Sequence, residues 1–374
     1  MRKIRVLIVD DAIVIRRIMT DILTADPDIE VAGVAANGRI ALSKITQVNP
    51  DLITLDVEMP EMNGLETLVE IRKLYPNLPV IMFSSLTEEG GQATIEALSL
   101  GATDFVTKPS NVGSTSIAMQ RIREELIPKI KTFCGKAVGL KPPYYPTPEL
   151  ITPASKAPAT IITRPKPDGK PQRVDILAIG VSTGGPNALA ELMPVFPKDF
   201  PIPIVIVQHM PPFFTKHLAD RLNSKSSIKI QECVAGAQLN PGEAWIAAGN
   251  YHMVLVDNTR MVTLEINQAP PENSCRPAVD VLFRSVAKVY GARTLAVILT
   301  GMGQDGFIGC EHIRDAGGRI LAQDEKSSVV WGMPGYIARA GLADKVLPLN
   351  EIGPEILRRV REGRPTTPTQ KLTT

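Results

Sequence analysis

The chain has 374 residues, a formal net charge of +2, 44% hydrophobic and 21% charged residues. That length exceeds one average domain, and the composition is that of globular protein with apolar residues enough for two sizeable cores. The near-neutral balance, with no basic stripe interleaved with aromatics, argues against nucleic acid as the main partner.

Four cysteines (Cys134, Cys233, Cys275 and Cys310) lack CxxC spacing and suit reduced thiols better than a disulfide framework or a zinc site. Met1-Arg2-Lys3 precedes an apolar run that stops at Asp10-Asp11, too short for a signal-peptide core and without a small-residue cleavage site. No uninterrupted apolar stretch approaches the roughly 18 residues that span a bilayer. A soluble cytoplasmic protein without direct membrane insertion is expected.

Residues 4–9 are mostly β-branched and apolar, which predicts a buried strand, and a helical pattern follows over Ile13–Thr24. Strand-like runs recur at 29–35, 51–55, 79–83 and 103–107, with helical patterns around 38–47, 64–74 and 90–100 and a last helix near 116–133. Strands alternating with helices through short loops predict a doubly wound parallel sheet over residues 1–133. Composition then shifts: nine prolines lie between Lys141 and Pro171. Proline removes backbone donors and favours extended chain, so 134–173 reads as a semi-rigid linker. A second α/β unit is predicted over 174–362, with strands near 174–180, 202–208, 243–248, 253–256, 261–265, 294–299 and 319–322. Within it Tyr251–Val256 and Met261–Ile266 predict an antiparallel hairpin around the Asp257-Asn258 turn. Residues 363–374 read as a disordered tail.

In parallel sheets functional residues collect at the carboxyl ends of strands. The first unit places Asp10, Asp11, Asp56, Ser84 and Lys108 there. Three carboxylates at one sheet edge repel unless a cation sits among them, and all-oxygen ligation suits Mg²⁺. Lys108 and the Ser84 hydroxyl would then contact a phosphoryl group, with Asp56 as the nucleophile that accepts it. A single strand-end aspartate could as well cap the following helix; five such positions together, followed by Lys108-Pro109, point to chemistry. The set, with Asp56-Val57-Glu58-Met59-Pro60 and Gly64, resembles the flavodoxin-like receiver domain of two-component response regulators over residues 1–125. The resemblance implies phosphorylation at Asp56, Mg²⁺ at Asp10, Asp11 and Asp56, and an aromatic switch position at Phe105.

In the second unit Ile176–Pro186 predicts a strand ending at Gly180, a tight turn at Ser182 and a helix opened by Pro186. Gly180-x-Ser182-x-Gly184 in that context fits a nucleophile elbow. A phosphate-binding loop is an almost equal reading of this segment, although no Walker lysine follows. A serine nucleophile needs a base. Of four histidines only His209 ends a buried-looking strand, while His217, His252 and His312 read as surface or packing residues. Asp305 lies in the glycine-rich Thr300–Gly306 segment after the strand Leu295–Leu299 and reaches the same edge, where it could orient the imidazole. Glycines in that loop would let backbone amides face an oxyanion. The order Ser182, His209, Asp305 differs from that of ordinary α/β-hydrolases, but triads are defined by geometry and role.

Gly180–Pro186, Gln208-His209-Met210-Pro211, Arg276–Asp280, Thr300–Gly309 and Val330–Pro334 together resemble the catalytic domain of the chemotaxis-specific protein-glutamate methylesterase family. A receiver followed by this domain is that family's architecture. The resemblance implies demethylation of γ-glutamyl methyl esters on the cytoplasmic helices of chemoreceptors, with glutamine deamidation as a second activity. It also implies Met302 as an oxyanion donor, Thr183 as a neighbouring substrate contact and a chemotaxis histidine kinase as phosphodonor. Mg²⁺ belongs to the receiver, and the triad chemistry itself calls for no cofactor. A receiver covering the Ser182 cleft until Asp56 is phosphorylated is the expected control. A hydrolase for small esters or peptides and a phosphorylation-dependent adaptor are the alternatives. A DNA-binding output domain is disfavoured by the length and strand content of the second unit.

Overall fold

The computed structural model describes residues 2–108, 115–135, 139, 172–362 and 364. Pro109, most of the 134–173 linker and nearly all of the 363–374 tail lie outside the described residues. The chain forms two compact units.

The N-terminal unit alternates β1 (Ile4–Val9), α1 (Ile13–Thr24), β2 (Ile29–Ala35), α2 (Gly38–Val48), β3 (Leu52–Asp56), α3 (Gly64–Leu74), β4 (Val80–Ser84), α4 (Glu88–Ser99), β5 (Asp104–Thr107) and α5 (Thr115–Cys134). Its five strands are parallel in the order β2-β1-β3-β4-β5. The doubly wound, flavodoxin-like expectation holds. Because β1, β3 and β4 are covered on both faces, their sequences are continuous apolar runs rather than alternating ones. Helix starts are written locally: Asn63 caps α3 through Glu66 N–H while the Glu66 carboxylate accepts the Asn63 amide, a reciprocal capping box. Thr87 caps α4 by the one-sided contact, its side-chain oxygen accepting Gly90 N–H.

The C-terminal part of the chain contains β6 (Ile176–Val181), α6 (Gly185–Leu192), β7 (Ile204–Gln208), α7 (Phe214–Lys225), β8 (Lys229–Glu232), β9 (Ala237–Gln238), β10 (Glu243–Ile246), β11 (His252–Asp257), β12 (Val262–Asn267) and α8 (Val279–Tyr290). It continues with β13 (Thr294–Ile298), α9 (Phe307–Asp315), β14 (Arg319–Gln323), α10 (Met333–Arg339), β15 (Lys345–Leu347) and α11 (Leu349–Glu362). Seven parallel strands take the order β15-β14-β13-β6-β7-β10-β8. From β6 the chain builds outward through β7 on one side and, later, through β13 on the other. That reversal opens a crevice at the carboxyl ends of β6 and β13, the usual place for a site in such sheets.

The expected hairpin is present but paired His252↔Asn267 through Asp257↔Val262, so Asp257 belongs to the strand and the turn runs over 258–261. β9 joins it to make a three-stranded antiparallel sheet. One buried cluster unites Ile176 and Ala178 of β6, Met253 and Leu255 of β11, Leu264 of β12 and Leu282, Phe283 and Val286 of α8. Each fully buried side chain of this size contributes about 1.5–3 kcal/mol. The packing holds α8 against both sheets and fixes where its N-terminus points. Among the described residues no helix is long and apolar enough to cross a membrane.

Candidate active site

Ser182 follows β6 directly, half-buried in the turn into α6. Gly184 caps that helix with φ 77°, in the left-handed region that favours glycine, and Pro186 sits in the first turn. The Ser182 amide donates to Thr300 O at 3.0 Å, and the Gly185 amide donates to Ser182 O at 2.8 Å. His209 follows β7 and its amide donates to Val181 O at 3.2 Å. Gln208, 2% exposed, sends Nε2 to Ser182 O at 3.0 Å and to His209 O at 3.1 Å.

The segment after β13 closes the crevice from the other side. Thr300 Oγ1 donates to Thr183 O at 2.9 Å and accepts the Val330 amide at 3.0 Å, while Thr300 N–H donates to Gln323 Oε1 at 2.7 Å. A Cβ on Gly301 would stand 2.8 Å from Ser182 Cβ, so loop and elbow touch only because the side chain is missing. Gly332 allows the same close passage: its Cβ would lie 3.1 Å from Met302 Cα and 2.6 Å from Gly301 O. Met302 is half-buried and Thr183 is buried.

Asp305, 1% exposed, meets His209 Nε2 through Oδ2 at 2.7 Å. The same oxygen accepts the Val279 amide at 2.6 Å. Oδ1 accepts the amides of Asp280 at 3.0 Å and Gly306 at 2.9 Å, and Asn273 Nδ2 at 3.0 Å. The N-terminus of α8 thus surrounds this carboxylate with donors and favours its charge. Burial alone would raise the Asp305 pKa, but His209 and the Val279 and Asp280 amides hold it below the usual value. Burial likewise disfavours a charged His209, yet the Cys275 sulfur and the Asp305 carboxylate beside it outweigh that and raise its pKa.

His209 and Asp305 are therefore directly bonded, and Ser182 is joined to them through the main chain. Among the described residues no hydrogen bond links the Ser182 hydroxyl to the His209 ring. Nucleophile–base contacts commonly tighten only when substrate is bound. The Cys275 side chain also hydrogen-bonds the His209 ring, and with Nε2 facing Asp305, Nδ1 is the ring nitrogen not engaged by that carboxylate.

In the N-terminal unit Asp10, Asp11 and Asp56 bring carboxylate oxygens within 4.8 Å of one another. Lys108 Nζ lies 2.6 Å from Asp56 Oδ2 and 3.2 Å from Asp10 Oδ2. Burial, with the Asp10 charge adding to it and Lys108 opposing, pushes Asp56 up to about 7. A carboxylate set this crowded is the donor chemistry that a hard divalent cation relieves. Asp10 also does part of the capping work considered for it, since Oδ1 accepts the Ala12 amide at 2.8 Å. The buried Ser84 hydroxyl donates to Gly90 O at 3.0 Å, and the Lys108 amide donates to Ser84 O at 2.6 Å. Gly64 passes so close that a Cβ would fall 2.1 Å from Asp56 O. Phe105 is buried.

The response regulator receiver domain family matches residues 6–118, and the CheB methylesterase family matches residues 177–356. A protein-glutamate methylesterase/protein-glutamine glutaminase of Trichodesmium erythraeum is 54% identical over 360 residues, covering 96% of this chain and 100% of its own. The chain belongs to this protein-glutamate methylesterase family. A protein of the same description from Nocardioides sp. is 48% identical, covering 97% of each chain. The crystal structure of the Thermotoga maritima CheB methylesterase catalytic domain is 42% identical, covers 50% of this chain and 98% of its own, and aligns with a TM-score of 0.49.

Several residues of this family member's crevice carry no sequence-level expectation. Gln208, Thr300 and Gln323 are buried polar side chains that join strand ends, and Asn273 and Asp280 lie behind Asp305. Gln208 and Asp280 fall inside the motifs read above, and their only signal was a polar residue within a buried stretch.

Proposed function

We propose that Ser182 is the nucleophile, His209 its base through Nδ1 and Asp305 the orienting carboxylate of an esterase that removes glutamyl methyl esters from chemoreceptor cytoplasmic helices. The observation that carries this reading is the 2.7 Å hydrogen bond from His209 Nε2 to a carboxylate held by four further protein donor contacts at the sheet's switch point. A proton on Nε2 leaves Nδ1 with its lone pair. As Ser182 Oγ bonds to the ester carbonyl carbon, its proton passes to Nδ1 and the developing imidazolium faces Asp305. The C–O bond to methoxide then breaks, and Nδ1 returns the proton so that methanol leaves. Water attacks the acyl-enzyme with the same base, giving glutamate and free Ser182. Met302 and Thr183 are assigned to the oxyanion and substrate side of the crevice. A glutamine side chain presents the same carbonyl with ammonia as leaving group, which accommodates the glutaminase activity in the relatives' name.

The receiver carries the control. Asp56 would accept phosphate from the chemotaxis histidine kinase, Mg²⁺ would be held by Asp10, Asp11 and Asp56, and Lys108 and Ser84 would contact the phosphoryl group. The bound cation would supply charge neutralisation for the incoming phosphate. In this reading residues 1–133 form the receiver, 134–173 the linker, 174–362 the catalytic domain and 363–374 a tail, all in the cytoplasm. The test is methanol release from methylated receptor. Ser182→Ala should fall to background while keeping its unfolding temperature; turnover retained by that variant would remove Ser182 from the reaction.

A further inference from the structure

The connection from β12 to α8 doubles back at Glu272–Cys275, whose main chains exchange hydrogen bonds at 3.1 and 2.8 Å. Arg284 of α8 anchors this turn through both oxygens of Glu272, at 2.9 and 2.5 Å. At its tip Asn273 and Ser274 adopt left-handed backbone, with φ 51° and 61°. Asparagine tolerates that region better than most residues with a side chain.

Asn273 is exposed, yet its amide turns inward. Nδ2 donates to Asp305 Oδ1 at 3.0 Å and to Asp280 Oδ2 at 2.9 Å. Asp280 is 1% exposed, and its other oxygen accepts the Gly309 amide at 2.6 Å. A Cβ on Gly309 would meet Asp280 Oδ1 at 3.3 Å and Phe283 Cβ at 2.6 Å, so α9 is pressed onto this carboxyl group. Two buried carboxyl groups are thus bridged by one amide nitrogen that has one hydrogen for each. The bridge adds a side-chain contact to the Val279, Asp280 and Gly306 amides that hold the Asp305 carboxylate, and the rotation of that group decides whether Oδ2 meets the imidazole.

We propose that Asn273 is a positioning residue for ester hydrolysis: its amide, anchored on Asp280, locks the Asp305 carboxylate with Oδ2 on His209 Nε2. The proposal rests on the reading of His209 and Asp305 as the base pair. Pre-set orientation of this kind lowers a barrier without touching substrate. The charged and titratable groups facing the two carboxyl groups are His209 after β7, Arg284 on α8 and Cys310 on α9, with Glu272 and Cys275 on the turn close by.

The experiment uses the full chain, phosphorylated, with methylated receptor as substrate. Asn273→Gly keeps the left-handed backbone and removes the amide. It should lower kcat about tenfold or more, the worth of a hydrogen bond to a charged group, while KM stays within about twofold. Asn273→Asp replaces the donor by a further carboxylate near His209. It should move the acid limb of kcat/KM to higher pH, because added negative charge favours the protonated ring, and activity needs the neutral one. A purely structural role would lower the plateau and leave the limb in place. Asp280→Asn added to Asn273→Gly should cost little more, since both act through one bridge; fully additive losses would overturn the anchoring.

Unaltered kcat in Asn273→Gly, or an unmoved limb in Asn273→Asp, overturns the proposal. If Asn273→Gly proves unstable, the limb of Asn273→Asp decides alone. Asp305→Asn separates the two levels. Its inactivity beside a normal Asn273→Gly enzyme sinks only the positioning, whereas its full activity sinks the base pair itself.

Discussion

The Gln208 side chain donates to two main-chain carbonyls, one belonging to Ser182 and one to His209. A Cβ on Gly185 would come within 2.0 Å of Gln208 Oε1, so the elbow is seated directly on this amide. Gln208→Glu tests the arrangement with a nearly isosteric change. The ionised carboxylate has no donor and would face two carbonyl oxygens in a site 2% exposed. A loss of about 2 kcal/mol or more at pH 8 is expected, together with a drop in methanol release. Burial favours the neutral acid, raising the folded-state pKa above the unfolded value near 4.3. The stability deficit should therefore be smallest at acid pH and grow as pH rises, which denaturant melts across the pH range would read. The strand-end places of Ser182 and His209, and of Asp305 in the glycine-rich loop after the strand Thr294–Ile298, were legible in the sequence because the strands before them are recognisably buried. The partners of Gln208 were not. They depend on β6 and β7 lying side by side in register, with Val181 opposite Gln208, and nothing local in the sequence states that.

At the level of elements, the fully buried parallel strands were readable because both faces demand apolar residues. Ile53–Asp56, Val80–Ser84 and Ile204–Gln208 all stand inside or at the ends of such runs. The strands missed were β8, β9 and β15, whose sequences Lys229–Glu232, Ala237–Gln238 and Lys345–Leu347 are short and mixed in polarity. β8 and β15 pair along one side only, at the sheet's two edges, where solvent tolerates lysine and glutamate. The hairpin turn was placed early because Asp257 looks like a turn residue yet pairs with Val262. The contact between the β6 elbow and the loop after β13 is likewise a property of two elements together. Gly301→Ala puts a methyl group 2.5 Å from Met333 Sδ, 2.8 Å from Ser182 Cβ and 3.1 Å from Ser182 N. The methionine end can move, but the Ser182 main chain is tied to Thr300 O. The strain should therefore displace Ser182, the proposed nucleophile. Activity should fall about tenfold or more, with a stability loss of about 1–3 kcal/mol. A methanol-release assay beside a thermal melt would expose the disproportion.

For the whole molecule, the described chain on either side of the proline-rich 141–171 stretch has its own parallel sheet. The C-terminal unit also has its own buried cluster, which supports assaying residues 174–374 alone. Control by the receiver is then a question of populations: phosphate at Asp56 can shift activity only by the difference in its interaction with the active and inactive states. A tenfold activation corresponds to about 1.4 kcal/mol of such difference, within the range of a few new hydrogen bonds to a phosphoryl group. Methanol release should rise when the full chain is given Mg²⁺ and a small acyl phosphate. The rise should vanish in Asp56→Asn, and residues 174–374 should not respond at all. If the receiver inhibits, the excised unit outpaces the unphosphorylated full chain. If the excised unit is no faster, inhibition is excluded. Phosphorylation would then have to create an active state that the catalytic unit does not reach alone, and the rate of the phosphorylated full chain would exceed both.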